Sequence, residues 1–207
     1  MEALAAETDP PTTVREPAEA IDVHVADSLS GLEAAALPPA RRVADIGSGA
    51  GFPGLVLAVA LPGARVDLVE SGRRKADVIA RLAAAAGVEN ARAVPSRAEE
   101  WAAAEGREAY DAVTARAVAS LAVLAEYAAP LLCDGGSLVA WKGARDEVEE
   151  LAGRAAAAAL GLEAEEPLRV EPFPAARGRH LHVFRKVAPT PPRFPRRAGM
   201  ARKRPLG

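Results

Sequence analysis

The sequence predicts an α/β fold in which a mostly parallel, seven-stranded sheet carries helices on both faces. From about residue 41 onward, short apolar runs of strand length alternate with stretches of helical periodicity. Strands that alternate with helices pair in parallel, because the chain must cross the sheet before it returns in the same direction. A glycine-rich turn directly after the first strand agrees with this class of fold.

The elements follow one another in a regular order. Residues 1–20 are polar and lack periodicity, whereas 21–36 carry apolar side chains at helical spacing, a helix that Pro38 and Pro39 would end. Strands are expected at 41–46, 65–70, 91–95, 110–115, 137–141, 168–170 and 181–187. Helices are expected at 51–61, 73–86, 120–130 and 145–160. The chain would thus comprise a helical lead-in (1–40), a main domain (41–187) and a tail (188–207).

Composition narrows the class of protein. The chain has 207 residues, half of them hydrophobic, which suffices for one domain with a sizeable core. No apolar run of about 18 residues lacks charges, and no basic segment precedes an apolar one at the start. A single cysteine, Cys133, excludes an internal disulfide. We therefore expect a cytoplasmic protein without a membrane span.

The charge is distributed unevenly along the chain. The tail contains six of the 26 basic residues and no acidic one, which leaves 20 basic residues against 28 acidic ones in the rest. A basic, proline-rich tail on an acidic body favours contact with nucleic acid. The alternative is a solvated, disordered end.

The segment from Asp45 to Gly54 contains four glycines, at 47, 49, 51 and 54. Such a turn between a strand and a helix lets the backbone approach a polar ligand closely. Its second half matches the dinucleotide pattern G-x-G-x-x-G, and Glu70 follows Gly49 by 21 residues, so a nicotinamide-dependent oxidoreductase is one interpretation. The other is a methyltransferase, because Asp45 precedes the first glycine in D-x-G-x-G and Pro53 removes an N–H that a pyrophosphate would use.

Further segments, in a fixed order over roughly 190 positions, carry a closer resemblance. They are Val14-Arg15-Glu16-Pro17, His24-Val25-Ala26-Asp27-Ser28-Leu29, Asp45 to Gly54, Ser96-Arg97-Ala98-Glu99-Glu100, Ala115 to Leu121, Trp141-Lys142-Gly143, Arg179-His180-Leu181, Pro195 to Gly199 and Lys203-Arg204-Pro205-Leu206. Together they resemble the RsmG (GidB) family, bacterial enzymes that methylate N7 of a guanine in 16S ribosomal RNA. Family members usually have further N-terminal helices, so we expect a shortened copy or a misassigned start.

The resemblance implies a Rossmann-like class I methyltransferase that uses S-adenosylmethionine and acts on 16S ribosomal RNA, in its decoding-region loop, or on the small-subunit particle. The residues expected at the cofactor are Asp45, Gly47, Gly49, Gly51, Phe52, Glu70, Ala98, Glu99 and Arg116. Arg116 and Lys142, which end the fourth and fifth strands, are the expected catalytic residues. A surface ion pair is the alternative for Arg116, and a snorkelling surface position is the alternative for Lys142.

Contact with RNA is expected from the last hairpin and the tail, through Arg179, His180, Arg196, Arg197, Lys203 and Arg204. A structural hydrogen bond is the alternative for Arg179 and His180. His24 and Asp27 share a helix face, where helix packing competes with a catalytic role. Trp101 and Trp141 could pack or stack on a base, and Cys133 is expected to pack. The histidines and the cysteine have no metal-ligand spacing, so we expect no metal.

We expect a monomer with no membrane partner. Two alternatives to the methyltransferase stay open at this point. One is the oxidoreductase, and the other is a catalytically degenerate relative that keeps the fold and binds RNA.

Overall fold

The structure is a computed structural model that describes residues 2–5, 7, 11, 12, 14 and 16–206. Its centre is one sheet with the strand order β3-β2-β1-β4-β5-β8-β6, in which β1 to β5 run parallel and β8 runs antiparallel to β5. The strands are β1 Arg42–Ile46, β2 Arg65–Glu70, β3 Ala91–Pro95, β4 Tyr110–Arg116, β5 Leu132–Lys142, β6 Leu162–Ala164, β7 Leu168–Val170 and β8 Arg179–Lys186.

The described part of the chain has eight strands where the sequence predicts seven. The extra one arises because β6 and β7 both pair with β8, β6 with its C-terminal half and β7 with its N-terminal half. They are two pieces of one edge position, separated by 165–167. Pro167 lacks an N–H and is restricted to such edges. The predicted mostly parallel architecture is confirmed.

Helices cover both faces of the sheet. They are α1 Glu2–Ala5, α2 Pro17–Ala20, α3 Asp27–Leu29, α4 Gly54–Ala60, α5 Arg73–Ala85, α6 Ala98–Ala102, α7 Leu121–Ala128, α8 Glu147–Ala159 and α9 Met200–Lys203. Alternate residues of β1 feed the two hydrophobic cores, as the pleat requires: Ala44 and Ile46 pack with α7, and Val43 packs with α4 and α5. Within the described ranges, no helix has both the length and the apolar character needed to cross a bilayer.

The lead-in is helical over a different range from the one predicted. Two helices, α1 and α2, lie in the segment expected to be irregular. A π-helical turn, Ile21–Ala26, joins α2 to α3, and a 3₁₀ turn, Ser30–Glu33, follows. Ala34 then turns extended, so helical structure ends three residues before the predicted limit. The Ser28 and Ser30 hydroxyls bond back to the carbonyls of His24 and Asp27, which stabilises these tight turns.

The first residues of the glycine-rich segment form a loop instead of a helix. Helix α4 therefore begins at Gly54, three residues after the predicted start. The reason is the backbone of Gly51, whose φ of +94° lies outside any right-handed helix.

Strand β5 begins five residues before its predicted start, because a register shift opposite Tyr110 and Ala112 lets the predicted turn continue as strand.

The tail packs against the body of the protein as far as it is described, to residue 206. Phe194 and Ala201 are buried in the core that contains α7. The Thr190 hydroxyl donates to the carbonyl of Ala129 at 2.9 Å. Arg196 makes a bidentate ion pair with the buried carboxylate of Glu126. The described tail is therefore folded, and the alternative of a disordered end is wrong for it.

Candidate active site

Two adjoining cavities form one cleft at the carboxyl ends of the parallel strands, where the chain leaves β1 for β2 on one side and β4 lies on the other. Ligands bind at such switch points in open α/β sheets. The smaller cavity has a volume of about 230 Å³ and the larger one about 390 Å³. Both are lined by Gly47, Ser71, Val118 and Arg202. The cleft therefore has two lobes that meet at these four residues.

Asp45 organises the glycine loop from inside. Its side chain has no exposed surface. One carboxylate oxygen accepts from the Thr114 hydroxyl at 2.9 Å, and the other accepts from the N–H of Gly54 at 3.1 Å. Burial raises the pKa of this carboxyl to about 6, against the opposing effect of the hydrogen bonds. Asp45 was expected at the cofactor, but the structure places it behind the loop, where it joins β1, β4 and α4.

The loop itself faces the cleft. Gly47, Gly49 and Phe52 line the larger cavity, whereas Gly51 lies behind them against Leu55. Gly47 has a φ of +67°, and a Cβ there would lie 2.7 Å from the Val118 side chain. Only glycine therefore allows the loop to pack against the segment that follows β4.

Glu70, at the end of β2, lines the larger cavity and is mostly buried. Its two carboxylate oxygens accept from backbone N–H groups, one from Gly49 at 3.0 Å and the other from Gly72 at 2.8 Å. These bonds hold the carboxylate still; Oε1 also accepts from the Ser71 hydroxyl at 3.4 Å, whereas Oε2 keeps a second lone pair for a hydroxyl donor. The residue thus meets the geometric requirement for holding a ribose.

The smaller cavity lies between the ends of β1 and β2 and the start of α6. Ile46 and Val69 form an apolar side, and the segment from Ser96 to Glu99 forms a polar one. The Glu99 carboxylate is buried and accepts from the N–H of Gly199 in the tail at 2.8 Å. This combination of an apolar wall and a polar edge suits a flat heterocycle.

One wall of the cleft belongs to the tail, and the sequence did not predict this role. Arg202, on α9, lines both cavities and donates to the carbonyl of Val118 at 2.9 Å. Tyr127 also lines the smaller cavity, and its pKa is raised mainly by burial. No local signal separates Arg202 from its basic neighbours in sequence, because its position depends on contacts with residues about 80 positions away.

Arg116 lines the larger cavity and is bound to the π-helical turn and α3 of the lead-in. Its guanidinium donates to the carbonyl of Val23 at 2.7 Å and to the Asp27 carboxylate at 2.9 Å. His24 stacks on Phe52 with ring centroids 4.5 Å apart. The pKa of His24 is lowered, first by burial and then by the charge of Arg116, so the imidazole is neutral at pH 7.

Lys142, the second expected catalytic residue, lines neither cavity. Its ammonium lies 2.6 Å from the Glu149 carboxylate and donates to the carbonyl of Ala119 at 3.3 Å. Arg179 lies 3.5 Å from Asp27, and the His180 ring nitrogen contacts the carbonyls of Gly143 and Gly178 at 3.1 Å. The end of β5 and the last hairpin therefore stand beside the cleft and not in it.

The remaining candidates divide into exposed and packed side chains. Arg197, Lys203 and Arg204 are exposed, whereas Arg196 is bound to Glu126. The indole N–H of Trp101 donates to the Tyr110 hydroxyl at 2.7 Å, and that of Trp141 donates to the carbonyl of Asp27 at 2.8 Å, so both tryptophans pack.

Cys133 is a half-buried free thiol, and burial raises its pKa. Across the described stretches of the chain, no group of three histidine, cysteine, aspartate or glutamate side chains could hold a metal ion.

The fold and the cleft define a Rossmann-like class I methyltransferase. Dinucleotide-binding folds have the strand order 3-2-1-4-5-6, whereas here an antiparallel strand lies between β5 and the edge. A solved structure from Agrobacterium tumefaciens, described as a predicted O-methyltransferase, superposes with a TM-score of 0.59 at 25% identity and covers 79% of this chain and 81% of that one.

The family model for rRNA small subunit methyltransferase G (GidB) matches residues 11–175. "Ribosomal RNA small subunit methyltransferase G" of Rubrobacter xylanophilus is 45% identical over 196 residues, which cover 93% of this chain and 75% of that protein. The protein of the same name from Pelotomaculum thermopropionicum is 43% identical over 88% of this chain and 77% of its own length. The chain belongs to the RsmG (GidB) family.

Proposed function

We propose that this protein transfers the methyl group of S-adenosylmethionine to N7 of a guanine in 16S ribosomal RNA. The observation that carries the proposal is the two-lobed cleft, with the glycine loop and Glu70 at its centre and the Ala98–Glu99 pair at one end. The relatives named above are small-subunit ribosomal RNA methyltransferases, which supports the substrate class. We propose that it acts in the cytoplasm, as a monomer, on the RNA or on the small-subunit particle.

The residues present fit the cofactor in one orientation. The smaller cavity would take the adenine, with Ile46 and Val69 on one side and the Ala98–Glu99 pair at its edge. Glu70 would accept from the ribose hydroxyls, because its carboxylate is already oriented by two N–H groups. The glycine loop and Arg116 would then hold the methionine end in the larger cavity.

The chain needs no general base for this reaction. When bound, the cofactor supplies an electrophilic methyl group on a sulfonium, and N7 of guanine has an exposed lone pair and no proton. The protein must therefore orient the base and exclude water. His24 and Phe52 form an aromatic wall of the larger cavity, and the neutral imidazole adds no charge beside a base that becomes cationic.

We propose that RNA phosphates contact the exposed tail cations Arg197, Lys203 and Arg204, with Arg179 and His180 at the neighbouring hairpin. Exposed cations bind phosphates by releasing counter-ions, so the affinity should fall as salt rises. The lead-in (1–40), the main domain (41–187) and the tail (188–207) would form one working unit, because the first and last of them both line the cleft.

A binding titration distinguishes this proposal from the oxidoreductase. S-adenosylhomocysteine should bind, and NAD should not; the reverse would refute the proposal. Mapping N7-methylguanine in 16S ribosomal RNA with and without the gene then distinguishes an enzyme from a degenerate RNA-binding relative. Arg116→Ala should abolish turnover in a protein that stays folded, and wild-type turnover in that variant would exclude Arg116 from the site.

A further inference from the structure

Asp27 is a buried carboxylate placed between two guanidinium groups. Its side chain is 2% exposed. One oxygen accepts from Arg116 at 2.9 Å, and the other lies 3.5 Å from Arg179 without accepting a hydrogen bond. Burying a charge is costly unless it is paired, and here two guanidinium groups lie beside the buried carboxylate.

The backbone around Asp27 is fixed independently of that ion pair. The indole of Trp141 donates to the Asp27 carbonyl at 2.8 Å, and the Ser30 hydroxyl donates to the same carbonyl at 2.7 Å. The carbonyl of Val23 also holds Arg116, at 2.7 Å. Helix packing alone would therefore not require a charge at position 27.

A charge at this position matters because Arg116 lines the larger cavity. The proposed cofactor brings a sulfonium into the same cavity, and the methylated base keeps that positive charge after transfer. A lone guanidinium there would repel both species, because like charges that share one cavity lie at close range. The Asp27 carboxylate cancels the charge of Arg116 and leaves its hydrogen-bond donors in place.

We propose that Asp27 is a positioning residue that acts through Arg116, and that its charge raises the affinity of the cleft for the cationic methyl donor relative to the neutral product S-adenosylhomocysteine. This inference rests on the proposed function, since it assumes that cofactor in the cleft. It assigns the charge of the ion pair a role beyond holding the helical lead-in against the sheet.

The test is the ratio of two binding constants. Asp27→Asn keeps the shape of the side chain and an acceptor for Arg116 but removes the negative charge. Calorimetric titration with S-adenosylmethionine and with S-adenosylhomocysteine should show the first weakened roughly three- to tenfold more than the second. If Asp27 had a purely structural role, Asp27→Asn would weaken the binding of both ligands equally. The two ligands differ only at the sulfur, by one positive charge and one methyl group, and share all other contacts.

Asp67 offers a matched control. It is also buried and paired with an arginine, Arg92, at 2.8 Å, but it lines neither cavity. Asp67→Asn should change stability and leave the binding ratio unchanged. A second variant, Arg179→Gln, removes a cation beside Asp27 and should shift the ratio about twofold in the opposite direction, in favour of the cationic ligand.

The outcomes separate the two proposals. Equal weakening of both ligands by Asp27→Asn, or an unchanged ratio in Arg179→Gln, would overturn the inference while the proposed function stands. If Asp27→Asn does not fold, the Arg179→Gln ratio decides alone. An unmodified chain that binds neither ligand would overturn the proposed function together with the inference.

Discussion

Replacing Arg196 by alanine tests whether this tail arginine stabilises the fold or contacts RNA. Its guanidinium donates through Nε to Glu126 at 2.6 Å, makes a second bond to the other carboxylate oxygen, and donates to the Arg204 carbonyl at 2.8 Å. Only 2% of the Glu126 side chain is exposed, against 23% of that of Arg196. Removing the arginine would leave a buried carboxylate without its partner.

The expected loss follows from that burial. Removal of one partner from a buried ion pair costs about 3–5 kcal/mol, and the partial exposure of Arg196 brings our expectation to about 3 kcal/mol, the low end. With a urea slope of about 2 kcal/mol per molar, the unfolding midpoint should fall by about 1.5 M. Urea denaturation followed by circular dichroism measures this directly.

Arg197→Ala is the matched control for this experiment. Arg197 is adjacent and exposed, so its removal should change the free energy of unfolding by less than about 0.5 kcal/mol and should instead weaken RNA binding. A loss below about 0.5 kcal/mol in Arg196→Ala, or a larger loss of RNA affinity there than in Arg197→Ala under conditions where both are folded, would refute the assignment of Arg196 to the fold.

Two further predictions concern the cleft. Because the folded pKa of Asp45 is about 6 and its ordinary value is 3.8, the folded state holds this proton more tightly, so the stability from this group is full below about pH 4 and falls as the pH rises to about 6. Asp45→Asn should remove this loss of unfolding free energy, which amounts to at most about 3 kcal/mol, and urea titrations between pH 4 and 7 measure it. If the unfolding free energies of the variant and of the unmodified protein change in parallel with pH, the prediction is wrong. Arg202→Ala should weaken S-adenosylhomocysteine binding about tenfold, the loss of one charge-assisted contact, whereas Lys203→Ala on the same helix should not; equal effects would show that Arg202 does not reach the ligand.

Sequence patterns located the parts of the fold that depend on local information. The predicted bounds of β2 and β3 match the structure, because each strand is a short segment with apolar positions and has turn-forming residues on both sides. The C-terminus of α5 is also as predicted within one residue, since Gly87 follows with a φ of +65°. The glycine loop and Glu70 lie together at one edge of the sheet because each stands at the carboxyl end of a parallel strand, and these ends share one side.

The contacts that complete the candidate site could not be predicted in this way. Asp27 and Arg116 are 89 positions apart, and Glu99 and Gly199 are 100 apart. Patterns with a period of two or 3.6 residues contain no information about such pairs. The basic tail shows the consequence: its composition indicated a single nucleic-acid surface, whereas its arginines divide between an internal ion pair at 196, a cleft wall at 202 and exposed positions.

The hydrogen bond from Gly199 to Glu99 also sets an order of events during synthesis. A ribosome makes the glycine loop and the strand ends first, and these parts can fold as the chain emerges. Gly199 follows Glu99 by 100 residues, so the wall formed by Gly199 and Arg202 leaves the exit tunnel later than these parts. The cleft of a nascent chain is therefore open along one side until the segment with Gly199 and Arg202 has emerged.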